Sequence, residues 1–194
     1  MNEAMRGRWT GAVAVLALAV GIAACGASKP GGKGAEGSPA EGSPSGDVPK
    51  SGGAKAPDFT LPGLKGGSVS LSDHLGKEVV LLNFWSTTCD PCMVEMPHLV
   101  DMYEKYKAKG FVVLAISLDG PESLSQVQSI VHDKRMSFPV LLDQETKVIA
   151  RYNPKRDMPF SVLIDRSGAI VEKRGGYTPG DEKSLEAKVA ELLK

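Results

Sequence analysis

The chain has 194 residues, a formal net charge of zero and three cysteines. That length holds one domain of ordinary size once non-globular ends are set aside, and it is too short for two separate cores. Balanced charge leaves no basic footprint for nucleic acid, and three cysteines are too few for a fold stapled by disulfides, so partners are expected to be proteins and the fold to stand on its core.

The N-terminus comes first in chain order. Arg6 and Arg8 precede an uncharged run over residues 9–24 whose apolar part is short for a helix crossing roughly 30 Å of hydrocarbon. Residues 1–24 therefore read as a signal peptide. The run ends in Ile22-Ala23-Ala24-Cys25, which resembles the bacterial lipoprotein signal, so Cys25 is expected to become a lipidated N-terminus. An uncleaved anchor helix with a passive cysteine is the alternative. Either way the rest of the chain sits at a cell membrane, facing the periplasm or another extracytoplasmic space.

Residues 25–56 read as a tether. From residue 26 to 56, 18 of 31 residues are Gly, Pro or Ser, and Val48 is the one sizeable apolar side chain, so no core can form there. The echo of Glu36-Gly37-Ser38-Pro39 in Glu41-Gly42-Ser43-Pro44 is low complexity, too short for a structural repeat. Flexible-chain scaling gives such a segment a span of about 30 Å, enough to hold a domain clear of lipid.

Periodicity begins at Pro57, and residues 57–194 are expected to form the single folded domain. Residues 58–61 and 69–71, around a Gly-rich turn, predict a short hairpin covering one end of the main sheet. Residues 79–85, 111–117 and 160–165 are apolar runs of strand length, the pattern of strands buried on both faces. Helices are predicted over 91–109, 121–134, 144–152 and 181–193. Arg166-Ser167-Gly168 and residues 169–173 read as a hairpin turn and an edge strand. Strands alternating with helices give an α/β class with a partly parallel sheet.

The chemistry concentrates in Cys89-Asp90-Pro91-Cys92, between a predicted strand and a predicted helix. A thiol at a helix N-terminus meets unsatisfied N–H groups and the positive end of the helix dipole, which favour the attacking thiolate. Pro91 suits the first helical turn, where its missing N–H costs nothing. Cys92, about one turn inward, can resolve a mixed disulfide formed at Cys89. A zinc site would need a second ligand pair, and only His74, His98 and His132 remain for it. No metal and no other cofactor is expected.

The run Val80-Leu81-Leu82-Asn83-Phe84-Trp85-Ser86-Thr87-Thr88-Cys89-Asp90-Pro91-Cys92-Met93-Val94-Glu95-Met96-Pro97 resembles the active-site strand and helix of the TlpA/ResA family of membrane-bound thioredoxin-like proteins. The likeness extends from about Ala56 to the C-terminus and includes Met158-Pro159-Phe160-Ser161-Val162-Leu163-Ile164-Asp165-Arg166-Ser167-Gly168, which matches that family's cis-proline loop and the following strand. It implies a thioredoxin-like fold, with a mixed central sheet flanked by helices and an N-terminal β-hairpin extension.

For Glu95 it implies an active-site acid, three residues after Cys92 and so near the same helix face. A solvated helical glutamate is the plainer reading. Pro159 resembles the cis-proline facing the cysteines, a trans loop proline being the alternative; Pro97 is expected to bend its helix. Met158, Asp90 and Pro91 are expected to touch substrate, with Trp85 at the site margin, although an aromatic on a buried strand is more often core. His98 is left as surface or packing. Two departures qualify the likeness: Thr88 stands where many relatives have Trp, and Asn83 where cytoplasmic thioredoxins place a buried Asp, which shifts any proton transfer toward Glu95.

The expected activity is extracytoplasmic thiol-disulfide exchange that reduces disulfides in exported proteins, apocytochrome c among them, with a membrane thiol donor restoring the pair. Three alternatives stand beside it. A disulfide-forming oxidase of the same fold differs only in potential. A peroxiredoxin-like peroxidase shares Pro57-Asp58-Phe59 but lacks the peroxidatic pattern, with Leu82 and Ser86 at its Pro and Thr positions. A non-enzymatic copper chaperone would use the same soft thiolates, yet such relatives space their cysteines by three and add a late histidine, and none follows His132 here.

Overall fold

The computed structural model describes residues 53–194. The expected signal peptide, the lipidated Cys25 and the tether up to residue 52 lie outside those residues. Pairing with the domain begins ahead of Pro57: Ile170 N–H donates to Ala54 O and Ala56 N–H to Gly168 O, both at 2.9 Å.

Seven strands and four helices follow: β1 (Thr60–Pro62), β2 (Ser68–Ser70), β3 (Val79–Trp85), α1 (Asp90–Tyr106), β4 (Phe111–Ser117), α2 (Leu124–Asp133), β5 (Val140–Leu142), α3 (Lys147–Tyr152), β6 (Phe160–Ile164), β7 (Ile170–Gly175) and α4 (Asp181–Leu192). β1 and β2 form a two-stranded antiparallel sheet, and the other five form a sheet in the order β5-β4-β3-β6-β7. β4 runs parallel to β3 and β5, while β6 is antiparallel to β3 and β7 to β6. The mixed sheet flanked by helices and the N-terminal hairpin are as expected.

The hydrophobic pattern explains the layers. β3, β4 and β6 are buried at every position, as apolar runs must be when both faces of a sheet are covered. Alternate residues then serve opposite faces. Leu81 and Trp85 of β3 join Met96 and Leu99 of α1, Val127 of α2 and Leu185 and Val189 of α4 in one core. Val80, Leu82 and Phe84 join Phe59, Leu61 and Leu71 beside the hairpin and Val148, Ile149 and Tyr152 of α3 in the other. Phe84 is wholly buried between the rings of Tyr152 and Phe160, with centroids 5.9 and 6.2 Å away. Burying a side chain of that kind stabilises by about 2–3 kcal/mol.

The hairpin lies along an edge rather than over an end of the main sheet. Leu64 N–H donates to Val140 O at 2.8 Å, and Gly63 bridges Leu141, so the free edge of β5 is partly occupied. Other differences from the predicted elements have local causes. α1 ends at Tyr106 and passes through a 3-10 turn to Gly110, whose φ of +86° is the left-handed geometry glycine tolerates. α2 begins at Leu124 after a 3-10 turn over Pro121–Ser123. α3 begins at Lys147, three residues later than expected, because the Asp143 carboxylate accepts the N–H groups of Lys147, Val148 and Ile149 at 2.9–3.0 Å. Among the described residues no helix is long and apolar enough to cross a membrane.

Three chain segments leave the sheet at one end. Trp85 and Ser117 are register partners at the C-terminal ends of β3 and β4, and Phe84 pairs with Phe160 at the start of β6. The loop to Cys89, the turn at Asp119 and the Met158–Pro159 peptide therefore meet there, the end of a parallel strand pair where α/β proteins commonly place their chemistry.

Candidate active site

Cys89 is the N-cap of α1, and its Sγ accepts the Cys92 backbone N–H at 3.3 Å. Pro91 stands in the first turn and Asp90 is the first helical residue; both are exposed. Cys89 and Cys92 are joined as a disulfide with Cα atoms 5.3 Å apart. Cys92 is wholly buried, while Cys89 keeps 9% of its surface exposed. That asymmetry gives an outside thiol that a partner can reach and an inside thiol that it cannot. Helix N-terminal N–H groups stabilise negative charge at the outer sulfur.

Glu95 lies behind the pair, one turn deeper on α1. It is not the solvated glutamate of the plainer reading, since only 4% of its surface is exposed. Asn83 of β3 donates from its single Nδ2 to Glu95 Oε2 and to Ser161 Oγ of β6, each at 3.0 Å. Asn83 and Ser161 are register partners, and Ser161 in turn faces Arg174 on β7. The row Asn83, Ser161, Arg174 thus crosses the sheet beneath α1. Burial pushes the Glu95 carboxyl up to about 7, against the hydrogen bond from Asn83 and the charge of Arg174, which lower it; Asp181 adds a smaller raising effect. A carboxyl that titrates near neutrality beside a dithiol can hold or release a proton over the working range of a thiol.

Pro159 is preceded by a cis peptide bond from Met158. Pro159 is buried and its carbonyl accepts Gly176 N–H at 2.8 Å, while Met158 is half-buried against the core that contains both cysteines. Gly176 opens the loop to α4, where Tyr177 stacks on His98 of α1 with centroids 6.1 Å apart. The Met158–Pro159 peptide is therefore linked to the loop after β7, and that loop to the middle of α1. His98, left aside in the sequence, is exposed.

Trp85 is placed differently from its expected margin position. It is wholly buried in the core under α1, so a substrate does not reach its ring in this geometry. Its Nε1 has no hydrogen-bond partner among the described residues, and neither has Asn83 Oδ1. Pro97 lies inside α1 as expected. No group of three or more His, Cys, Asp or Glu side chains arranged for a metal occurs among the described residues.

Three polar residues here were not singled out by sequence reasoning. Ser161 had no signal beyond its place in a strand, and its partner Asn83 is 78 residues away. Ser117 and Asp119, at the end of β4, bond to each other, and Asp119 also bonds Thr87 in the loop that leads to Cys89. Ser117-Leu118-Asp119 follows an apolar strand, as many surface turns do, so only the fold reveals that it meets the redox loop.

Comparison with known proteins agrees with this geometry. Residues 53–180 match the model of the AhpC/TSA family. The thiol-disulfide oxidoreductase ResA of Bacillus cereus is 42% identical over 121 residues, covering 62% of this chain and 68% of that protein. Among solved structures, a Chlorobium tepidum protein described as a DsbE-type thiol:disulfide interchange protein superposes with a TM-score of 0.67 at 38% identity, over 73% of this chain and 97% of that one. The thioredoxin domain of a thiol-disulfide oxidoreductase from Bacteroides vulgatus does so at 0.62 and 30% identity, over 73% and 97%.

Proposed function

Because the chain belongs to the AhpC/TSA family and is a ResA-like thiol-disulfide oxidoreductase of thioredoxin-like fold, we propose that it works as a reductant, donating electrons from Cys89 and Cys92 to disulfides of exported proteins. Apocytochrome c is the favoured substrate. The proposal includes a place for the domain, held at the outer side of a cell membrane by lipid on Cys25 through the Gly/Ser/Pro-rich tether. Tethering raises the effective concentration of substrates at the same membrane.

The observation that carries the reductive direction is the buried Glu95 beside the pair, with its carboxyl at about 7. A carboxylate there disfavours a second negative charge on sulfur, which destabilises the dithiolate relative to the disulfide and makes the pair give up electrons more readily.

The reaction runs on the two sulfurs. The Cys89 thiolate attacks one sulfur of the substrate disulfide, forming a mixed disulfide and expelling the other substrate sulfur as a thiolate that takes a proton. Cys92 loses its proton, for which Glu95 is the nearby acceptor, and attacks Cys89 Sγ. The second substrate thiol leaves, and the Cys89–Cys92 disulfide remains. Two electrons and two protons from a membrane thiol donor restore the dithiol. Met158 and Pro159 offer the backbone edge along which an extended substrate would lie, with Asp90 and Pro91 on the exposed side of Cys89.

A Cys92→Ser chain tests this. It should accumulate mixed disulfides with exported proteins, apocytochrome c included, while Cys89→Ser accumulates none. Absence of any mixed disulfide, or faster oxidation of reduced apocytochrome c by the unmodified chain, would overturn the proposal.

A further inference from the structure

The loop that delivers Cys89 is gripped from behind by one carboxylate. Asp119, two residues beyond the end of β4 and 9% exposed, accepts the Thr87 backbone N–H at 3.1 Å on Oδ1 and 3.0 Å on Oδ2. Its Oδ1 also accepts the Thr87 hydroxyl at 2.7 Å, and its Oδ2 the Ser117 hydroxyl at 2.8 Å. The Asp119 N–H donates back to Ser117 Oγ at 3.1 Å, and Leu118 N–H donates to Trp85 O at 2.9 Å. These bonds join the ends of β3 and β4 immediately before the redox pair. Among the described residues the partners of the carboxylate are hydroxyls and an amide, not a cation.

We propose that Asp119 is a positioning residue of the redox pair: it fixes residues 86–88 so that Cys89 caps α1, and its charge behind that loop disfavours the Cys89 thiolate.

The positional part follows from connectivity. Cys89 N–H donates to Ser86 O at 3.2 Å and Ser86 Oγ pairs with Thr88 Oγ1 at 3.3 Å, so residues 86–89 form a tight turn. Within residues 86–88 the Thr87 N–H is the group Asp119 takes through both oxygens, and it stands two residues from the nucleophile. A carboxylate accepting several donors holds them more firmly than a neutral group does. The electrostatic part follows from sign. Asp90 stands on the same turn as Cys89 and Glu95 one turn deeper on α1, Asp119 holds the loop at Thr87 from the β4 end, Arg174 acts on Glu95, and the Lys134 ammonium, of opposite sign, donates to Met93 O at 3.1 Å just beyond the pair. Like charge raises a thiol's pKa. Asp119 and Glu95 therefore act in the same direction from two sides, with Asp119 fixed to the loop and Glu95 to the helix.

The test uses the full chain with Asp119→Asn, which keeps the shape and one acceptor oxygen while removing the charge. Two quantities are read: the equilibrium constant for reduction of Cys89–Cys92 by a small dithiol, and, in a Cys92→Ser background, the pH of half-maximal alkylation at Cys89, resolved by peptide mass so that Cys25 is not counted. Asp119→Asn should favour the dithiol at least threefold and move alkylation to lower pH. Thr87→Val, which loosens the grip but keeps the charge, should slow exchange and leave the alkylation midpoint in place. Asp119→Asn values equal to the parent's, even with a lower melting temperature, would reduce Asp119 to a structural residue, and an equal midpoint shift in Thr87→Val would remove its charge as the cause. The inference rests on thiol-disulfide exchange at this pair and not on its direction, because each value is read as a shift from the unmodified chain.

Discussion

The amide of Asn83 donates to the Glu95 carboxylate at 3.0 Å, tying the strand that precedes the redox pair to the helix that carries it. An amide can hold a carboxylate without competing with it for the proton, so the titration near neutrality belongs to Glu95. The same Nδ2 reaches Ser161 on the neighbouring strand, and one buried side chain thus coordinates three elements.

Replacing Asn83 by Ala removes both bonds and leaves the buried Glu95 without its main stabilising donor. The Glu95 midpoint should rise above its present value of about 7, because the lost hydrogen bond is the largest of the lowering effects. Stability should fall by about 2 kcal/mol, the cost of orphaning a buried polar group. A carboxyl-resolved NMR titration and urea unfolding at pH 5 would check the two parts.

Glu95 also makes stability depend on pH. Its folded pKa of about 7 lies above the ordinary 4.5, so the folded chain binds this proton more tightly than the unfolded chain. The resulting stabilisation is complete below pH 4.5 and is lost as the pH rises through 7. With a shift of that size, about 3 kcal/mol disappears between those limits. Glu95→Gln should abolish that slope, leave the oxidised chain more stable than the parent at pH 8, and flatten the alkaline change in disulfide-exchange rate. Unfolding midpoints at pH 5 and 8 decide the matter, and an unchanged slope would contradict the assignment.

Asp143 caps α3 with three hydrogen bonds while lying 2% exposed. A helix of six residues has little stability of its own. Asp143→Ala should cost about 1–2 kcal/mol, the range for a lost N-cap, with no effect on the equilibrium of the cysteine pair. Denaturant unfolding paired with a disulfide-exchange assay separates these outcomes.

Legibility in the sequence followed the range of each interaction. The strands β3, β4 and β6 were readable because burial on both faces demands unbroken apolar runs, and Cys89-Asp90-Pro91-Cys92 was readable because a cap, a proline and two thiols act within one turn. β5 was missed: three residues after Pro139 carry no period of their own, and pairing with β4 makes them a strand. The start of α3 was misplaced because Asp143 selects it from outside the helix. Trp85 followed the commoner fate of an aromatic on a buried strand and went to the core. The contacts of Glu95 with Asn83, of Asn83 with Ser161 and of Asp119 with Thr87 span 12, 78 and 32 residues, distances over which pattern is silent and only the packed sheet brings the groups together.

The central claim, that the pair gives electrons rather than takes them, is tested most directly by the reduction potential of Cys89 and Cys92. Full-length chain is equilibrated in thiol buffers of known ratio and the free thiols of the pair are trapped and counted. A pair that gives electrons should show a value near or below about −230 mV, in the range of proteins that reduce disulfides. A value near about −120 mV, that of a strong disulfide-forming oxidant, would contradict it.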